Sequence, residues 1–331
     1  MRKRSLLRRS GLAAFAALAA GLSAAPAPAA EGPWAPSRPI RFVVPFPPGG
    51  ANDIVARQLA VRLSEQLGQQ VVVDNRGGAN AIIGTEVVVR AAPDGHTILI
   101  IPAGHAINPQ VQKKLPYDSV NDFAPIGLIG NGAYVLVTSP ATPARNVAEL
   151  VAWLKARPGQ VNFASSGVGN LTHLAAELFK LTAGVDVAHV AYKGGAQAMT
   201  DVMGGQVAMF FSTVAVAAPQ IRGGKVRAQG VTTARRSQAL PDVPTIAEGG
   251  VPGYEVDGWY GLLAPRGTPR PVIERFNREL SAAMAPAEMK ERLLASGVEA
   301  NPGPPEALRA VIERDIAKWA KVFKAAALRI E

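Results

Sequence analysis

The chain has 331 residues, 48% of them apolar, and a formal charge of +10 that falls to +5 once the first thirty residues, with five basic and no acidic side chains, are set aside. The remaining Lys and Arg residues are scattered and do not interleave with aromatics, which leaves a nucleic-acid groove or a polybasic membrane patch without support. Cysteine is absent, which excludes thiol catalysis, a disulfide framework and a lipid-attachment site behind a leader.

Arg2, Lys3, Arg4, Arg8 and Arg9, the Ala-rich apolar stretch Gly11 to Leu22 and the small residues to Ala30 read as an export signal over 1–30. The mature protein is then expected as a soluble monomer in the periplasm. A buried strand follows at Ile40 to Val44, then the turn Pro45-Phe46-Pro47-Pro48-Gly49-Gly50, then a helix with Val55, Leu59, Leu63 and Leu67 at i+4 spacing. Strand-like runs recur at Val71 to Val73, Thr97 to Ile101, Tyr134 to Val137, Val161 to Ala164, Val207 to Phe211, Val226 to Val231 and Trp259 to Ala264. Between them, Asn146-Val147-Ala148-Glu149 has capping-box spacing, and Asn170 to Ala183 is helical, with Gly184 as its stop. A last helix starts near Pro304-Pro305-Glu306 and buries Leu308, Ile312, Ile316, Trp319 and Phe323.

The alternation predicts an α/β fold with mostly parallel sheets. The apolar regions Ile126 to Ser139 and Val256 to Pro265 flank a middle block with its own βαβ pattern, so the chain is expected to leave one lobe, build a second and return. The expected division is 31–132 with 257–331 as the first lobe and 133–256 as the second, with a hinged cleft between them.

The turn after the first strand carries no cation. Phe46, Gly49, Gly50, Ala51, Asn52 and Asp53 would bring main-chain N–H groups and a helix N-terminus against an anion. The middle block repeats the arrangement, with Ser165, Ser166, Gly167, Gly169, Asn170 and Thr172 between a strand and a helix start, where one of them must also cap the helix. Gly104 and His105 lie in a loop after a strand, and Tyr192 opens a third polar turn, Ala191 to Gln197. These sixteen candidates include Ser212, which either ends a buried strand or sets ligand selectivity.

The order of motifs resembles the Bug or TctC-like solute-binding proteins of tripartite tricarboxylate transporters. The blocks include Arg41 to Gly50, Val71-Val72-Val73-Asp74-Asn75-Arg76, Ala92-Pro93-Asp94-Gly95, Leu115-Pro116-Tyr117-Asp118, Tyr192-Lys193-Gly194, Leu240 to Thr245 and Val251 to Val256. The resemblance implies a type II periplasmic-binding-protein fold, capture of a small carboxylate and delivery to integral membrane transporter subunits, without cofactor or metal. It departs from the family pattern at Asn52, at Ile82, where a polar contact is expected, and at Ser212, where a carboxylate is expected. The last two changes favour plain, aromatic or dicarboxylic acids over amino acids.

An enzyme finds little footing. Gly223-Gly224-Lys225 is only a fragment of a phosphate loop, Ser166-Gly167 lacks the preceding glycine of a nucleophile elbow, and His96, His105, His173 and His189 stand outside metal-ligand spacings. A sensory binder that presents its ligand to a receptor kinase would need the same features as a transport receptor.

Overall fold

The computed structural model describes residues 34–112 and 114–325, and the signal expected over 1–30 lies outside them. The elements follow in the order β1 (Ile40–Val44), α1 (Ala51–Leu67), β2 (Val71–Asn75), α2 (Ile82–Val89), β3 (Thr97–Pro102), a 3-10 turn (Ala103–Ala106), α3 (Asn108–Val111), β4 (Phe123–Gly132) and β5 (Tyr134–Thr138). The chain continues with α4 (Val147–Lys155), β6 (Asn162–Ser165), α5 (Leu171–Ala183), β7 (Ala188–Ala191), α6 (Gly195–Met203), β8 (Met209–Thr213), α7 (Val214–Arg222) and β9 (Arg227–Val231). It closes with β10 (Gly258–Pro265), α8 (Arg270–Met284), α9 (Ala287–Ala295), β11 (Val298–Gly303) and α10 (Pro305–Ala325).

Two sheets result, one in the order β11-β4-β10-β3-β1-β2 and one in the order β7-β6-β8-β5-β9. They are mixed rather than mostly parallel. The βα units pair in parallel (β1 with β2 and β3, β6 with β7 and β8), whereas β4, β5 and β10 make antiparallel ladders. The physical reason is the route of the chain. Only Ala133 separates β4 in the first sheet from β5 in the second, so the strands that carry the chain across cannot have the direction set by βα crossovers. The edge strand β11, Val298-Glu299-Ala300-Asn301-Pro302-Gly303, has too polar a sequence to announce itself, as is usual where a strand faces solvent.

Local signals in the sequence place the helices well. Val55, Leu59 and Leu63 are fully buried under α1, which stops at Gly68 with φ 67°. Asn146 caps α4 by accepting from the Glu149 N–H at 2.8 Å, and Glu149 reaches back to the Arg145 N–H. On α10, Leu308, Ile312 and Trp319 are buried, while Ile316 and Phe323 are partly so. Among the described residues no helix is long and apolar enough to cross a membrane.

One segment is strained. Ala79, Asn80 and Ala81 all take left-handed conformations, with φ of 46°, 53° and 73°. A left-handed non-glycine residue costs about 1–2 kcal/mol, partly recovered from the lower entropy of its unfolded chain. Ala79 is exposed and has no packing to lose. Ala79→Gly is therefore expected to stabilise the fold by roughly 0.5–1 kcal/mol in chemical denaturation, and a destabilised variant would show that the segment is relaxed.

Candidate ligand-binding cleft

A cavity of about 290 Å³ lies between the two sheets. The first sheet and its turns contribute Phe46, Pro47, Pro48, Gly50, Ala51, Asn52, Pro102, Gly104 and Tyr260. From the other side come Tyr134, Ser166, Asn170, Leu171, Thr172, the run Gly194 to Gln197, Thr213 and Val216. None of these side chains is charged.

The β1–α1 turn is built to leave a helix start bare. Gly49 turns the chain with φ 78°, and Gly50 stands at the N-cap in extended geometry without a side chain to cap the helix. Among the described residues the N–H groups of Ala51, Asn52 and Asp53 therefore make no hydrogen bond. Asn52 is 8% exposed and its Oδ1 also lacks a partner.

Asp53 does not face the cavity. Its carboxylate accepts from the Gly49 N–H at 3.0 Å and from Arg57 Nε at 3.1 Å, while Arg57 also bonds Asn75 and Asn75 donates to the Phe46 carbonyl at 3.1 Å. Burial raises its pKa, but the bonds from Arg57, Gly49 and Asn75 outweigh that and hold it below the usual carboxylate range. Asp53 and Gly49 thus lock the turn from beneath.

The β7–α6 turn supplies a second bare start. Gly194 is the N-cap of α6, again without a side-chain cap, and the N–H groups of Gly195, Ala196 and Gln197 make no hydrogen bond among the described residues. It meets the first turn directly: a Cβ on Gly194 would sit 3.5 Å from Pro47 Cγ, and one on Gly49 would sit 3.9 Å from Ala196 Cβ. Two positive helix ends converge on an uncharged space from which side-chain competitors are absent.

The β6–α5 turn differs from the sequence expectation. Four of the main-chain donors are already engaged on side chains: Ser166 N–H bonds Thr172 Oγ1 at 2.8 Å, Gly167 N–H bonds Ser165 Oγ at 3.2 Å, Gly169 N–H bonds His173 Nδ1 at 3.0 Å, and Thr172 N–H bonds Asn170 Oδ1 at 2.9 Å. What this turn offers the cavity is chiefly the Ser166 and Thr172 hydroxyls and the Asn170 amide, with the Leu171 N–H beside them. Ser165, Gly167 and Gly169 lie behind them. Ser165 Oγ is also 2.6 Å from His189 Nε2, and Gly169 is required because a Cβ there would come within 2.3 Å of Val111 Cγ1.

Four further residues singled out in the sequence lie apart from this cavity. His105 is 3% exposed and sits outside the main cavity, its Nε2 donating to the Ser119 carbonyl at 2.8 Å and its ring between Tyr117 and Phe123. Tyr192 turns away and donates to Asp201 at 2.6 Å. Ser212 is fully buried in β8, with its hydroxyl on the Thr213 carbonyl at 3.1 Å. Alternation along the strand puts Thr213, not Ser212, toward the cavity. Ile82 packs against the core instead of walling the cleft.

Sequence reasoning marks the Ala191 to Gln197 turn but takes Tyr192 from it instead of Gly194 to Gln197, and it misses Thr213, Tyr134 and Tyr260 as cavity residues. The Gly194-Gly195 pair after a short strand was a usable signal, since it repeats the strand, Gly-Gly, helix pattern of Gly49-Gly50. The tyrosines carry no local signal, because only the pairing of distant strands brings them together.

The family model described as tripartite tricarboxylate transporter family receptor, TctC, matches residues 55–328. A protein encoded in the tcbD-tcbE intergenic region of Pseudomonas sp. (strain P51) is 42% identical over 289 residues, covering 87% of this chain and 86% of that protein. The structure of the periplasmic binding protein BugD superposes with a TM-score of 0.85 at 38% identity, covering 89% of this chain and 99% of BugD. R. palustris Rpa4515, solved with adipate, gives a TM-score of 0.86 at 36% identity, covering 88% of this chain and 98% of that one. With a family match and relatives of this extent, the chain belongs to the TctC family of tripartite tricarboxylate transporter receptors.

Proposed function

We propose that this protein is a periplasmic solute-binding receptor that captures a small carboxylate in the cleft and delivers it to the membrane subunits of a tripartite tricarboxylate transporter. The observation that carries the reading is the meeting of two uncapped helix starts, at Gly50 and Gly194, over a cavity with no charged side chain. A carboxylate there gains hydrogen bonds from N–H groups that otherwise have none, together with two helix dipoles. The adipate in the solved relative is of this chemical class.

In this reading residues 1–30 are an export signal, 31–132 and 257–331 form one lobe, and 133–256 form the other. Phe46, Gly50, Ala51, Asn52, Gly104, Ser166, Asn170 and Thr172 contact ligand, joined by Gly195, Ala196 and Thr213. The protein acts as a binder rather than an enzyme, since no histidine, carboxylate or lysine borders the cavity to activate its serine and threonine hydroxyls. Without a carboxylate there, an ammonium group finds no charged partner and amino acids bind less well than the matching plain acids.

Native mass spectrometry of protein purified from the periplasm, followed by calorimetry of succinate against aspartate, tests this. A co-purified or titrated carboxylate with weaker aspartate binding is expected. Binding of bases, sugars or amines in preference to acids would overturn the reading.

A further inference from the structure

Of the five tyrosines in the chain, three spend their hydroxyls on protein partners: Tyr117 with Asn108, Tyr192 with Asp201 and Tyr254 with the Ala175 carbonyl. The other two, Tyr134 and Tyr260, are 4% and 3% exposed, and among the described residues the tyrosine hydroxyls that hydrogen-bond to protein are those of Tyr117, Tyr192 and Tyr254 alone. Both line the cleft. Both hydroxyls open onto the cavity instead of being sealed in the core, and so stand as two donors free for a ligand.

Their positions separate them from the bare helix starts. Tyr260 lies on β10, opposite Pro102 of β3, and β10 is two strands away from β1, whose end leads to Gly50. At the usual strand spacing that is on the order of 10 Å across the sheet. Tyr134 opens β5 opposite Thr213 of β8, on the facing sheet. The rings are held at the two places where the chain passes between sheets: a Cβ on Gly132 would come within 2.5 Å of the Tyr260 ring, and one on Gly258 within 2.5 Å of the Tyr134 ring. Each ring thus packs on the glycine next to the other crossing.

We infer that Tyr134 and Tyr260 form a second anchor that takes the far carboxylate of a diacid whose near carboxylate occupies the helix starts. Two neutral donors, one from each sheet, match the two oxygens of a carboxylate, and hydrogen bonds to an ionised acceptor are about twice as strong as neutral ones. Burial pushes both phenols above their usual pKa, and at Tyr260 the neighbouring Tyr134 adds to this, so both remain protonated donors. The inference rests on the carboxylate reading of the cleft and adds the residues that distinguish one acid group from two.

Calorimetry on the mature protein with two matched pairs, succinate against butyrate and adipate against hexanoate, tests it in the native chain, Tyr134→Phe, Tyr260→Phe and the double variant. The native protein is expected to prefer at least one diacid over its monoacid by tenfold or more. Each Phe substitution, which keeps the ring on its glycine, should cut that preference at least fivefold, and the double variant should nearly abolish it. A purely structural role would weaken both members of a pair together and leave the ratio intact, which would overturn the inference. Equal binding of diacid and monoacid by the native protein would overturn it while leaving the carboxylate reading standing. Failure of all four acids to bind would overturn both.

Discussion

Gly50→Asp is expected to abolish ligand binding while slightly stabilising the empty protein. The backbone at Gly50 has φ −82° and ψ 168°, an ordinary extended N-cap, and a Cβ there meets only the Pro47 carbonyl at 3.6 Å, so the side chain fits without strain. An aspartate at that place caps α1 and complements its dipole, a gain of about 0.5–1 kcal/mol. The same carboxylate takes the N–H groups that a ligand would use and puts a negative charge into a cavity with no cation on its walls. With ligand at about 100 times its native dissociation constant, the native protein gains roughly 2.7 kcal/mol and the variant essentially none. Thermal denaturation with and without ligand reads both changes. A variant that keeps the ligand-dependent shift would remove α1 from the site.

Stability is expected to fall as the pH drops from about 6.5 to about 4, with His105 the main cause. Burial lowers its pKa to about 4, against a partial opposing effect of the bond to Ser119. In that window the unfolded chain binds a proton that the native imidazole refuses, so the folded state loses ground as the pH falls and the loss is complete below about 4. The full effect is on the order of 3 kcal/mol. His189 acts in the same direction: burial and then the stacked His173 ring, 3.8 Å away, lower it to about 4, and its partial exposure makes its share smaller. The carboxylates held low, such as Asp53 and Asp74, lose their contribution only below this window. Denaturant midpoints across the range should therefore slope downward toward acid, and His105→Gln should flatten much of the slope. An unchanged slope in that variant would mean that His105 is solvated and free to protonate in the native state.

What the sequence disclosed divides by range. The α1 stripe, the Asn146 and Asn170 caps and the Gly49-Gly50 turn are written within a few neighbouring residues, and each appears where its pattern predicts. The direction of β4, β5 and β10 depends on which strands lie beside them, which no local pattern records. Within the cleft the same limit appears at finer scale. The serines, glycines and asparagine of the Ser165 to Thr172 turn were recognisable as a polar turn, but whether an N–H faces ligand or is taken by Thr172 or His173 depends on rotamers and packing. Ser212 and Thr213 show the narrowest failure, since one residue of strand parity exchanges the core for the cavity. Tyr134 and Tyr260 lie 126 positions apart in the chain and become neighbours only through the two crossings.

In the receptor role proposed above, the uncharged wall of the cleft also has a bearing on how the protein would wait and unload. A receptor that holds an anion with arginine must open by separating two buried ions, and when empty it must either hydrate a stranded cation or pair it elsewhere. Here the groups left behind are peptide N–H groups, hydroxyls and amides, which water satisfies at once when the cleft opens. Surface ion pairs weaken as ionic strength rises, whereas dipoles enclosed by two lobes lie beyond the reach of the ion atmosphere. The grip on a bound acid should thus vary little with the salt of the surrounding fluid, and an empty cleft can stand open between ligands without a buried charge to compensate.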